Sequence, residues 1–224
     1  MNKLLVIFII VIVQCNSQNG KNVKSEIDTC EKYKVKTGKL IENFYLNGDT
    51  TSLDSAIYYI DIAIERCPEK KFFNLRKLSI LSLKQEFSKA INLINNLEDT
   101  LFTDMPYYND VLLMRFKAMK AQSEGNMQER DMYINRIIKR INMFLYENEQ
   151  KVDFLLRSSN TSEILENPLA TALTQSYYYK SLVKGKNVIK SELKEKQKSN
   201  DLNEDFIIYL TTVLDEDFMI FIGF

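Results

Sequence analysis

Two alanines 34 residues apart, Ala56 and Ala90, each stand one helical turn before an isoleucine. From the first, the chain reads Ala56, Ile60, Ala63, Pro68: a small residue, a bulky one a turn later, another small one, then a helix stop. Around the second stand Phe87, Ala90, Ile94 and Leu97. Two helices approach closely only where one presents Ala or Gly, and a bulky neighbour then fills the adjoining groove. Such a pattern, returning at a fixed period, predicts helical hairpins in which each pair leaves an apolar face for the next to cover. Turn residues are correspondingly scarce, with six Gly and three Pro in 224 residues. The expected fold is all-α, and this length suits a single domain.

These positions resemble the second helix of the tetratricopeptide repeat, whose period is 34 residues. A third copy has Ala118, Ala121, Gly125, Met127, Ile134 and Ile137 at matching positions, with Arg130 in place of the small residue. It follows the second by 40 residues, which a loop inserted around Thr100 to Pro106 explains. The resemblance covers about residues 30 to 141. It implies a right-handed helical-hairpin solenoid over 26–147, with pairs at 26–46 and 53–66, 70–84 and 87–99, and 107–124 and 127–147. The first turn then runs from Asn47 to Ser52, with Ser52 as the N-cap before Leu53. A plain irregular helical bundle is the competing reading.

Residues 148–224 read as a C-terminal extension of irregular capping helices in the same domain. Helical patterning continues through VDFLLRS, PLATALTQSYYYKSLVKG and NVIKSELKEKQKS. Asn167-Pro168 suits a helix start and Gly185 a helix end. The lysine-rich stretch from Lys184 to Lys198 reads as a solvated face, with a partner-binding patch as the alternative. The apolar segment 217–224 is expected to fold back and close the end of the stack; insertion into a partner is the other reading.

The amino-terminal segment is a separate object. Lys3 precedes ten uninterrupted apolar residues, Leu4 to Val13, followed by the polar run from Gln14 to Asn19. Ten residues rise only about 15 Å as a helix, half of a hydrocarbon core, so residues 1–14 read as a signal peptide. Ile12-Val13-Gln14-Cys15 resembles a bacterial lipobox, with Gln14 departing from its usual small residue. The loose lipobox and the following Asn-Ser-Gln-Asn are similar to those of lipoproteins of the Bacteroidetes, flavobacterial type. That resemblance implies lipidation at Cys15 and a flexible tether over 15–25. No acidic cluster follows Cys15, so the expected location is the outer membrane, lipid-anchored and facing the periplasm.

Thirty basic residues balance thirty acidic ones, which argues against a nucleic-acid partner. The chain has no His, no Gly-rich phosphate loop and no Gly-x-Ser-x-Gly elbow, and its three Cys are too scattered for zinc. No catalytic residue, metal or cofactor is therefore assigned. Asp99-Thr100-Leu101 resembles an O-glycosylation site of the same bacterial group. The leading expectation is a non-catalytic adaptor or scaffold for a periplasmic protein or peptide. An immunity-type inhibitor of a toxin or enzyme, or an accessory subunit of an outer-membrane assembly or transport complex, are the alternatives.

The family's concave positions carry over to Phe72, Leu75, Ser79, Ser82 and Leu83 in the second repeat. In the third they are Leu112, Arg115, Met119, Gln122 and Ser123. Lipidation at Cys15 would leave Cys30 and Cys67 in an oxidising compartment. Cys30 lies near the start of the first helix and Cys67 at the end of the second, the same pole of an antiparallel hairpin, so a disulfide is expected. Two buried thiols packed as small hydrophobes are the alternative.

Overall fold

The computed structural model describes residues 23–97, 107–152, 167–198 and 204–215, and all regular structure within them is helical. Cys15, the tether up to residue 22, the Asp99-Thr100-Leu101 triplet, the loop around 100–106, residues 153–158 of VDFLLRS and the segment 217–224 lie outside the described residues.

The first hairpin joins α1 (Val23–Asn47) to α2 (Thr50–Arg66) through only two residues. Gly48 takes φ +70°, a conformation that glycine adopts without steric cost, and turns the chain. Asp49 then caps α2, its Oδ1 accepting from the Thr51 amide at 3.0 Å. This corrects the expected cap at Ser52. That serine is buried inside the first turn of α2, and its hydroxyl donates to Asp49 Oδ2 at 2.7 Å. Asp49 comes first along the chain and reaches the free amides directly, so the helix starts earlier and the turn is shorter than expected.

Next come α3 (Lys71–Leu83) and α4 (Phe87–Asn95), then α5 (Tyr108–Ser123) and α6 (Met127–Glu147). The C-terminal part holds α7 (Pro168–Lys184), α8 (Lys186–Lys198) and α9 (Glu204–Asp215). The expected start of α7 is present: Asn167 Oδ1 accepts from the Leu169 amide at 2.9 Å, with Pro168 opening the helix. Gly185, at φ +93°, ends it.

Each helix from α1 to α6 packs on its neighbours in the chain, α6 packs on α7, and α7, α8 and α9 each touch the other two. The interior follows the same order. Leu53, Ala56, Ile60 and Ala63 of α2 close on Phe73 and Ile80 of α3. The other side of α3, Leu78 and Leu81, joins Phe87, Ala90 and Ile94 of α4 and Leu112 and Phe116 of α5. Val111 and Ala118 of α5 meet Ile134, Ile137 and Ile141 of α6, and Ala172 and Tyr179 of α7 complete that cluster. Leu169 and Tyr177 of α7 pack with Ile189, Leu193, Phe206 and Leu210 in the last.

The repeated alanines are fully buried between the packed helices: Ala56, Ala63 and Ala90 have no exposed surface. In the third copy Ile134 and Ile137 are buried as expected, whereas Met127 is exposed. As the first residue of α6, Met127 stands at the helix end, where no described neighbour reaches over it. Arg130, in place of the small residue, folds along the surface; its Nη2 bonds Asp131 at 2.5 Å and the Leu182 carbonyl at 3.3 Å.

Candidate partner-binding face

The positions carried over from the repeat family lie on α3 and α5, the first helices of the second and third pairs. Their spacing, 72, 75, 79, 82 and 83 on α3 and 112, 115, 119, 122 and 123 on α5, draws one stripe along each helix. The structure divides these stripes into a part facing outward and a part belonging to the interior.

Two residues are interior. Leu112 is 3% exposed and packs among Leu78, Leu81 and Phe116, while Ser82 is 4% exposed. Neither can meet a partner, which corrects that part of the expectation. The reason is that α5, with α4 and α6 packed on it, buries Leu112 against α3, and that α3 itself is enclosed on more than one side. Helices α2 and α4 both pack on it, and Arg76 ties it to α1. Burial therefore spreads around α3 beyond the single stripe that a free helix face would bury. The Ser82 hydroxyl has no hydrogen-bond partner among the described residues, a local cost within that packing.

Phe72 and Leu83 are half-buried against the first cluster, and Met119 is half-buried against the second. Leu75, Ser79 and Arg115 are also half-buried; Gln122 and Ser123 are exposed. The Ser123 hydroxyl donates to the Lys120 carbonyl at 2.7 Å, closing the last turn of α5. Arg115 lies close enough to α7 for its charge to act on Tyr179. Burial pushes the Tyr179 hydroxyl on that helix up to about 12, and the Arg115 charge acts in the opposite sense.

A cation–aromatic seam between α1 and α3 is not among the features expected from the sequence. The Arg76 guanidinium lies 4.2 Å from the Phe72 ring centroid, and the Lys34 ammonium of α1 lies 5.9 Å from the same ring. Arg76 Nη1 donates to the Lys34 carbonyl at 3.1 Å and to the Thr37 hydroxyl at 3.2 Å. Burial lowers the Arg76 pKa from its ordinary value. The spacing of Phe72 and Arg76, one helical turn apart, was the available signal, but the α1 partners come from tertiary packing.

On another side, α2, α3 and α4 enclose a shallow depression of about 380 Å³ lined by Ile57, Asp61, Lys77, Leu81, Glu86 and Lys89. Its charges are matched internally: Lys77 meets Asp61 at 2.5 Å and Lys89 meets Glu86 at 2.8 Å. The neighbouring Lys84 pairs with Asp54. Among the described residues, no group of three or more acidic or thiol side chains is placed to hold a metal ion.

The Sγ atoms of Cys30 and Cys67 are joined in a disulfide, with their Cα atoms 6.2 Å apart. It fastens the first third of α1 to the end of α2, at the pole where Pro68 comes next in the chain. Among the described residues, no helix is long and apolar enough to cross a membrane. Comparison of the chain with protein-family models, with curated proteins and with solved structures finds no match, so a functional reading rests on the residues themselves.

Proposed function

We propose that this chain is a protein-binding adaptor: a right-handed solenoid of tetratricopeptide-like helical hairpins, attached by lipid on Cys15 to the bacterial envelope and facing the periplasm. The observation that carries this reading is the serial packing. From α1 to α7 each helix rests on its neighbour in the chain, and the apolar clusters pass from one pair to the next. Stacked pairs of this kind present a continuous surface built from their first helices, suited to an extended peptide or a protein edge. The triple contact of α7, α8 and α9 supports their role as a cap at one end.

The accessible part of the proposed contact is Phe72, Leu75, Ser79 and Leu83 on α3 together with Arg115, Met119, Gln122 and Ser123 on α5. Apolar side chains beside polar ones at a half-buried surface are what a protein partner's own mixed surface can match. Site-specific photo-cross-linking in intact cells tests the reading. A cross-linking residue at Ser79 or Gln122 should capture one discrete protein, and one at Ser88, exposed on α4, should not. Equal capture from Ser88 would remove the assignment of this face. The anchor is tested separately: mass spectrometry of the native protein should find an acylated amino terminus at Cys15, and an unmodified start elsewhere contradicts it.

A further inference from the structure

One pole of the molecule carries apolar side chains facing solvent. The last turn of α7 and the first turn of α8 meet there across Gly185. Helix α6 begins there too, because Arg130 reaches from its first turn to the Leu182 carbonyl. Met127, Leu182, Val183 and Val188 stand on these three helix ends, each between 36% and 48% exposed. Single exposed apolar residues need no explanation, but several gathered at one place mark a contact surface.

Helix α9 ends at the same pole, since Lys190, in the second turn of α8, pairs with Asp215. The chain therefore leaves α9 beside the patch. It continues as Glu216, Asp217 and then Phe218-Met219-Ile220-Phe221-Ile222-Gly223-Phe224, with six large apolar side chains in seven residues.

We propose that residues 217–224 dock on this pole of their own chain, laying their apolar side chains over Met127, Leu182, Val183 and Val188. Reach is not limiting: nine residues beyond Asp215 extend up to about 30 Å, and the patch begins within a turn of Lys190. Charge runs in the same direction: Asp215 pairs with Lys190 beside the patch, and Glu216 and Asp217 follow it before the apolar run begins. Docked there, the segment covers the outer side of the layer formed by α7, α8 and α9, as the end of a helical stack requires.

Disulfide trapping in the full chain tests this. Val183→Cys combined with Ile222→Cys should form an intramolecular bond on mild oxidation at least tenfold faster than Tyr58→Cys combined with Ile222→Cys, Tyr58 being an exposed residue on α2. Adding Phe218→Ser and Phe221→Ser, which leave every described helix untouched, should abolish the difference. Equal rates for the two pairs would overturn the proposal. So would a bond that forms between chains and rises with protein concentration, or one whose rate survives the two serines.

Discussion

Arg76 lays its guanidinium over the ring of Phe72 one helical turn earlier, while Nη1 of the same side chain donates to the Lys34 carbonyl of α1. In the seam, a backbone carbonyl, a hydroxyl and a ring face surround this half-buried cation where an acid would be the usual partner. A guanidinium held against an aromatic ring contributes about 0.5–2 kcal/mol, more as water is excluded. In a double-mutant cycle, Arg76→Met and Phe72→Leu should show a coupling of about 0.5–1.5 kcal/mol in urea unfolding. Additive effects would mean that the two residues act separately.

The fully buried Ala90 sets how closely α4 can approach its neighbours. Ala90→Leu must force extra methylenes into a filled cluster, which costs about 1–3 kcal/mol. Ser88→Leu, on the exposed side of the same helix, should change stability by less than about 0.5 kcal/mol. Thermal unfolding of the two variants checks the contrast.

Asp49 links stability to pH. Hydrogen bonds from the Thr51 hydroxyl, the Ser52 hydroxyl and the Thr51 amide hold its carboxyl below the ordinary carboxylate value. A group with a lowered folded pKa stabilises the protein above its unfolded pKa, and that contribution disappears as pH falls through the folded one. Asp49→Ala should therefore lower the Tm at pH 7, and the gap to the parent should narrow progressively below about pH 4. A gap that stays constant into acid would show that the charge on the cap is irrelevant.

The disulfide closes a loop with a sequence separation of 37 residues. In the chain-entropy model such a closure stabilises the folded state by about 4 kcal/mol, less any strain in the native bond. Reduction should shift the denaturation midpoint sharply downward while α3 to α9 retain their helicity. Thiol labelling of the denatured, unreduced chain should find both Cys30 and Cys67 blocked; two free thiols would contradict the bond.

Steric and conformational signals were legible in the sequence. Ala56, Ala63 and Ala90 announce close helix contacts because nothing larger fits, and Asn167-Pro168 and Gly185 bracket α7 through backbone requirements that few residues meet. Choices among chemically similar neighbours were not legible. Asp49 and Ser52 can both cap a helix, and only the three-dimensional turn at Gly48 decides which reaches the free amides. Ser82 and Leu112 fall on an open face only by carrying over the repeat family's concave positions, and neither that resemblance nor the pattern along a helix reveals how many neighbours enclose it. The role of Arg76 was hidden for the same reason: its partners Lys34 and Thr37 lie about forty residues away.

Capture from solubilised envelopes tests the central claim most directly. The full chain should retain one specific protein, and Arg115→Ala combined with Met119→Ala should reduce that capture at least tenfold, roughly 1.4 kcal/mol or more, with helicity by circular dichroism unchanged. Undiminished capture by a folded double variant would contradict the account, because the face formed by α3 and α5 would then not be where the partner binds.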